Sequence, residues 1–164
     1  MHETAEPTET LTRLNRFLNA RNEGAYDTDS IVAASVAIVD MGESTVRFAS
    51  AGAERPVILG LDRQPRIADT TGLPLGAFAH SQYEPIQMSF DHGETIVMAT
   101  DGITEARRGK TFLSYEGMIT MADKYLGHGL SLHAEGQAVL DAARAFAHGK
   151  FQDDVCLLLA RNEA

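Results

Sequence analysis

The sequence predicts an α+β protein, with antiparallel strands joined by short turns and helices packed on one face of the sheet. Three observations predict this class. Short apolar runs rich in β-branched residues follow one another at turn-length separations. Two later stretches instead repeat apolar residues at helical spacing. A last apolar run follows these stretches, so the predicted order is a helix, about five strands, two helices and a strand.

Length and composition fit one folded domain. The chain has 164 residues, of which 44% are hydrophobic and 23% charged, as in ordinary globular proteins. Residues 1–9 are predicted to be a flexible N-terminus and residues 10–164 the domain. A net charge of −9 argues against binding to nucleic acid or anionic membranes. The single cysteine, Cys156, excludes an internal disulfide. The sequence shows no secretory signal and no apolar run of membrane-spanning length, so the chain is predicted to be cytoplasmic.

The first half of the chain is predicted to form a helix and a hairpin. Apolar residues recur at helical spacing within residues 10–21. The run at 31–39, IVAASVAIV, is short and β-branched, which predicts a strand buried on both faces. A turn separates it from 45–49, its predicted hairpin partner.

The rest of the chain alternates between strands and turns before helical periodicity begins. Glycine and proline predict a loop at 69–80. Ser131 stands at the N-cap position of the second helix, and Cys156 in the last strand is predicted to be buried. The predicted elements are strands at 56–60, 83–90, 95–100 and 155–160, a polar turn through Asp62 and Pro65, and helices at 112–126 and 131–147.

Two acidic segments stand at the ends of predicted strands. Asp101 directly follows an apolar strand, and Gly102 allows a sharp turn beside it. Asp153 and Asp154 come just before the last strand. In an antiparallel pair the end of one strand lies beside the start of its neighbour, so these carboxylates can converge at one sheet edge. Such oxygen ligands suit Mg²⁺ or Mn²⁺, although each segment taken alone is more often an ordinary turn or a solvated loop.

Several motifs follow one another in an order that resembles a known family. They are LTRLNRFL at 11–18, IVAASVAIVD at 31–40, FASAGAERPVIL at 48–59, TTGLPLGAF at 70–78, TDGITEA at 100–106 and QDDVCLLLAR at 152–161. Together they resemble the PPM-type protein serine/threonine phosphatases, in the bacterial branch typified by SpoIIE and RsbU. The resemblance covers nearly the whole chain, from about residue 11 to 161.

The resemblance implies an αββα sandwich of two antiparallel sheets flanked by helices, and metal-dependent hydrolysis of phosphoserine or phosphothreonine on a partner protein. It implies two Mn²⁺ or Mg²⁺ ions, with Asp101 and Asp153 as ligands and Asp154 as a less direct contributor. Gly102 is expected to support the turn and Glu105 to form local hydrogen bonds. The implied partner is an anti-sigma-factor antagonist in sigma-factor control, with a sensor domain or a second copy of the chain as further partners.

The sequence departs from the family at an earlier strand and turn with a pattern like GDVSGHG. In the family its Asp bridges the two metal ions, and the present sequence starts at the helix that follows. We do not transfer this role to Asp27 or Asp29, and Asp40 is expected to be structural. The domain is therefore expected to be N-terminally incomplete, as a fragment of a longer phosphatase or a natural short paralogue. It is expected to hold one metal ion or none, and the alternative to catalysis is an inactive, phosphatase-derived protein-binding module or an inactive fragment.

Overall fold

The computed structural model describes residues 6–24, 30–60 and 63–163. Asp27 and Asp29, to which no bridging role is assigned, and Asp62 of the predicted polar turn lie outside the described residues. In chain order the elements are α1 (Pro7–Gly24), β1 (Ala34–Asp40), β2 (Thr45–Ala51), β3 (Val57–Gly60), β4 (Arg63–Ile67), β5 (Ile86–Ser89), β6 (Thr95–Ala99), α2 (Asp101–Thr104), β7 (Arg107–Arg108), β8 (Thr111–Phe112), α3 (Ser114–Tyr125), α4 (Leu132–Phe146) and β9 (Leu157–Arg161).

The elements form two compact units, and both follow the predicted α+β class with antiparallel sheets. The first unit consists of Met1–Arg55 and Ala68–Phe90 and holds α1, β1, β2 and β5. The second consists of Pro56–Ile67 and Asp91–Ala164 and holds the remaining elements. No helix of the described residues combines the length and apolar composition needed to cross a bilayer.

In the first unit the sheet order is β1-β2-β5, and both pairings are antiparallel. The predicted hairpin is confirmed, with Val36 opposite Ala49. The prediction that the first strand is buried on both faces is wrong, because β1 is only partly buried and becomes exposed at its C-terminal end. Among the described residues β1 lies at a sheet edge, where fewer side chains cover it. The central strand β2 is the buried one, and Val46 and Phe48 are both fully inaccessible.

The helix α1 begins at Pro7, three residues before the predicted start. Proline is favoured in the first helical turn, where its missing N–H would have no intrahelical partner. Leu11 points into the core of the unit and is fully buried. The buried Asn15 connects α1 to the predicted loop at 69–80: its Nδ2 donates to the carbonyl of Phe78 at 2.9 Å, and its Oδ1 accepts from the N–H of Gly76 at 2.8 Å.

In the second unit the sheet order is β4-β3-β6-β9, again antiparallel throughout. The segment around Pro65 was predicted as a polar turn because proline is common in turns. In the structure this segment forms strand β4. The structure places β4 at the edge of the sheet, where a residue without an N–H is tolerated. The register of β4 with β3 also shifts between Ile58 and Gly60, on the stretch opposite Pro65.

The helices α3 and α4 confirm the two helices predicted in the C-terminal half. They share one apolar core with the sheet strands, and its buried side chains include Val57, Val97, Ile103, Met118 and Val139. Gly136 allows α4 to approach β9, because an added Cβ would lie 2.9 Å from Leu159 Cδ1. The predicted N-cap is confirmed, since the Ser131 hydroxyl accepts the N–H of Ala134 at 3.3 Å.

Between β6 and α3 the structure contains a short helix and a hairpin that were not predicted. The helix α2 has four residues, and β7 and β8 have two each. Gly109 has φ +65 in the two-residue loop of the hairpin, a conformation that a tight hairpin turn requires. Elements this short have no measurable periodicity, so the pattern of apolar residues could not predict them.

Candidate metal centre

The residue Thr100 joins the end of β6 to the segment before β9. Its N–H donates to the carbonyl of Cys156 at 3.1 Å, and its Oγ1 accepts from the N–H of Cys156 at 2.9 Å. The same hydroxyl donates to the carbonyl of Asp154 at 3.0 Å. These bonds continue the β6–β9 pairing, which ends with Ala99 opposite Leu157. They confirm that the two acidic segments converge at one edge of the sheet, and the part played by Thr100 was not predicted.

Gly102 lies directly against the backbone of the second acidic segment. A Cβ at this position would be 2.5 Å from the carbonyl oxygen of Asp154 and 3.1 Å from Val155 Cγ2. The first distance is well inside van der Waals contact, so any larger residue must displace one backbone segment from the other. Gly102 therefore supports more than a turn, because it allows α2 to touch the segment that contains Asp153 and Asp154.

Replacing Gly102 with Ala is expected to lower the free energy of unfolding by roughly 1–3 kcal/mol, the usual effect of overpacking. It should also weaken Mn²⁺ binding, because the displaced backbone carries the acidic side chains. Urea denaturation and calorimetric Mn²⁺ titration measure the two effects. The matched control is Gly42→Ala, where the added Cβ would meet only a side-chain oxygen of Asp40 at 3.4 Å. Equal stability and Mn²⁺ affinity in the two variants would contradict the close contact.

The three predicted ligands, Asp101, Asp153 and Asp154, are all exposed. The carboxylate of Asp101 has no hydrogen-bond or ion-pair partner among the described residues. One oxygen of Asp153 accepts the N–H of Asp154 at 2.7 Å. Across residues 6–24, 30–60 and 63–163, no group of three or more His, Cys, Asp or Glu side chains is placed to hold a metal ion. The structure thus brings the two segments together, and the role of their carboxylates as ligands stays a prediction.

The donor chemistry of this edge fits a hard divalent cation. Carboxylate oxygens are the ligands that Mg²⁺ and Mn²⁺ prefer. A Mg²⁺ ion is commonly held by one or two carboxylates together with water and substrate phosphate, so a cluster of three protein ligands is not required. Because Asp101 and Asp153 are exposed, an ion held by them would remain open to water and to a phosphate group.

Other residues singled out by the sequence have local roles. Asp40 is structural as predicted, because its Oδ1 accepts the N–H groups of Gly42 and Glu43 at 3.0 Å each. The N–H of Glu105 donates to the carbonyl of Asp101 at 2.7 Å, a local bond that closes the turn of α2. The prediction that Cys156 is buried is wrong: β9 begins one residue later, and the side chain of Cys156 is exposed.

A buried carboxylate that was not predicted from the sequence links α4 to β9 in the second unit. Glu135 in α4 is fully buried and forms an ion pair with Arg161 at the end of β9. Its oxygens also accept the N–H groups of Gly127 at 3.1 Å and His128 at 3.0 Å. Burial alone would raise the pKa of Glu135. The pKa is nevertheless lowered, because the hydrogen bond and the charge of Arg161 and the hydrogen bonds from the two N–H groups together outweigh burial.

The fold of the chain is that of the PP2C-type phosphatase domains in solved structures. It matches the SiaA PP2C domain of Pseudomonas aeruginosa with TM-score 0.81 and 14% identity, over 95% of this chain and 61% of that one. The match to the Mn-presoaked phosphatase domain of SpoIIE from Bacillus subtilis has TM-score 0.63 and 16% identity, over 99% and 68%. The RsbU and RsbW domains of a Mycobacterium tuberculosis protein match with TM-score 0.76 and 20% identity, over 98% and 43%.

The family assignment comes from the sequence model of the Stage II sporulation protein E (SpoIIE) family, which matches residues 1–163. The chain therefore belongs to the SpoIIE family, and the resemblance noted in the sequence is confirmed. It spans 61% of the length of the SiaA domain structure. Among proteins of curated function, none matches the chain in sequence.

Proposed function

We propose that this chain is the metal-dependent phosphatase part of a SpoIIE-type protein and that it removes phosphate from phosphoserine or phosphothreonine on a regulatory partner. The observation that supports the proposal is the convergence of Asp101 with Asp153 and Asp154, through Thr100, at one sheet edge. An accessible edge of this kind admits a phosphorylated segment of another protein, which an enclosed pocket for a small molecule would exclude.

In this proposal Asp101 and Asp153 would hold a Mn²⁺ or Mg²⁺ ion, with Asp154 beside them. When bound, such an ion neutralises phosphate charge and makes a water molecule more acidic. The chain's own contribution is positioning. Gly102 and Thr100 hold the two carboxylate segments against each other, and this contact supports a site whose ligands are brought together by the fold.

The proposed partner is a phosphoprotein that acts as an anti-sigma-factor antagonist in sigma-factor control. Membership of the SpoIIE family supports it, as does the fold match to a protein with RsbU and RsbW domains. The proposed reaction does not depend on which phosphoprotein is the partner, because the chemistry proposed at Asp101 and Asp153 requires only an accessible phosphomonoester.

A second candidate function is a protein-binding module that has lost catalysis. The observation that favours it is the lack of any three-residue metal cluster in the described part of the chain. Such a module would bind the phosphoprotein and leave it phosphorylated. Catalysis and binding must therefore be measured separately.

The purified chain is expected to hydrolyse a phosphoserine peptide and p-nitrophenyl phosphate in the presence of Mn²⁺. Both activities should disappear when EDTA removes the metal and return when Mn²⁺ is added in excess, because the carboxylates alone cannot neutralise a phosphate dianion. Phosphate release measures the reaction. Hydrolysis that EDTA leaves unchanged would contradict a metal-dependent reaction. Phosphopeptide binding without hydrolysis at any Mn²⁺ concentration would favour the binding module.

A further inference from the structure

The β7–β8 hairpin is a basic segment on an acidic chain. Within the six residues RRGKTF, Arg107, Arg108 and Lys110 carry positive charge and no residue is acidic, whereas the whole chain has a net charge of −9. All three basic side chains are exposed. A chain of this net charge repels an acidic protein, so a local basic surface is the place where such a partner would approach.

Both arginines of the hairpin stack on phenyl rings and are held in place by them. The Cζ of Arg107 lies 4.4 Å from the ring centre of Phe112, and that of Arg108 lies 4.8 Å from the ring centre of Phe146. Neither arginine pairs with a carboxylate of the described residues. The other described arginine side chains of this unit each form an ion pair: Arg66, Arg144 and Arg161. A stacked guanidinium keeps its N–H edge available for a carboxylate of another molecule.

The first connection of the hairpin is to the segment of Asp101. Ala106 at its base is buried and accepts the N–H of Leu113 at 2.8 Å, which closes the hairpin. Ala106 follows α2 after one residue, and α2 begins with Asp101. Arg107 is therefore six residues from Asp101, a span of at most about 22 Å even for a fully extended chain.

The second connection is to the segment of Asp153. Phe146, on which Arg108 stacks, is the last residue of α4 and stands seven positions before Asp153. Phe151, two positions before Asp153, lies under the guanidinium of Arg144 at 5.6 Å. The hairpin thus contacts the end of α4, which leads into one carboxylate segment, and is covalently continuous with the other.

We infer that the β7–β8 hairpin docks acidic residues beside the phosphorylated residue of the partner, and that Arg107 and Arg108 determine this specificity. The inference rests on the proposed function, because it assigns a substrate class to the same site. The phosphate would meet a metal ion held at Asp101 and Asp153, and flanking Glu or Asp side chains would pair with the stacked guanidinium groups. A planar guanidinium can bind a carboxylate through two parallel hydrogen bonds.

The test compares two phosphoserine peptides that differ only in their flanking residues, Glu in one and Gln in the other. Fluorescence anisotropy in Mn²⁺ measures the affinity of the chain for each. The wild type is expected to prefer the Glu peptide about tenfold, as two charged contacts allow, and the R107Q/R108Q variant should lose this preference. Raising the salt concentration should reduce the preference of the wild type, because salt screens exposed charges.

The matched control is R16Q/R21Q, which removes two exposed arginines from α1 and should leave the preference unchanged. The inference is overturned if the wild type shows no preference, if R107Q/R108Q keeps it, or if the control loses it equally. It is also overturned if a DNA oligonucleotide competes as well as the Glu peptide, since the hairpin would then bind any polyanion. Hydrolysis of p-nitrophenyl phosphate by the wild type is measured separately. If hydrolysis is absent, the proposed reaction is wrong, whereas a measured preference for the Glu peptide would still support docking.

Discussion

Replacing Asp101 with Asn is expected to reduce Mn²⁺-dependent hydrolysis of p-nitrophenyl phosphate by at least about 100-fold. The amide keeps the shape of the side chain and removes the negative charge that holds a divalent cation. A bound cation supplies several kcal/mol of transition-state stabilisation, and each 1.36 kcal/mol changes the rate about tenfold. The fold should persist, since Asp101 is exposed and its carboxylate has no partner among the described residues.

The control is Asp123→Asn, which removes the same charge from an exposed position on α3 in the same unit. It should keep the wild-type rate and Mn²⁺ affinity. Calorimetric titration with Mn²⁺ adds a readout that does not depend on turnover, and the Asp101 variant should bind Mn²⁺ much more weakly. Wild-type rate and Mn²⁺ affinity in Asp101→Asn would show that this carboxylate is not a ligand.

Replacing Glu135 with Ala is expected to lower the free energy of unfolding by about 3–5 kcal/mol, the usual cost of breaking a buried ion pair. The substitution leaves Arg161 without its carboxylate and leaves the N–H groups of Gly127 and His128 without their acceptor. Urea denaturation measures the loss. The matched control is Asp141→Ala on the same helix, which breaks an exposed pair with Arg144 and should cost less than about 1 kcal/mol.

The contribution of Glu135 should also depend on pH. Its pKa in the folded chain lies below the ordinary value of 4.5, so the folded state binds fewer protons than the unfolded state near that pH. The stabilisation is therefore complete above the unfolded pKa and is lost as the pH falls through the folded pKa. The difference in unfolding free energy between the wild type and Glu135→Gln should shrink as the pH is lowered below about 4.5. A difference that stays constant from pH 7 to pH 3 would assign the loss to packing.

The two acidic segments of the candidate site were predictable because each is marked by acidic residues close to an apolar strand in the sequence. Asp101 and Asp153 each adjoin a short apolar run, and antiparallel pairing of those runs places them at one edge, as the β6–β9 register confirms. The interactions that hold the site were not predictable. Thr100 and Gly102 act on the backbone near Asp154, more than fifty positions along the chain.

The sequence by itself determined the α+β class, the family and most strands and helices, because apolar periodicity and turn residues act over a few neighbouring positions. The tertiary structure alone decided which strands are covered and which lie at an edge. It made a strand of the segment around Pro65, left β1 partly exposed and placed Cys156 at the surface. It also paired Glu135 with Arg161, because burial and charge pairing depend on residues far apart in sequence that meet only when the chain is folded.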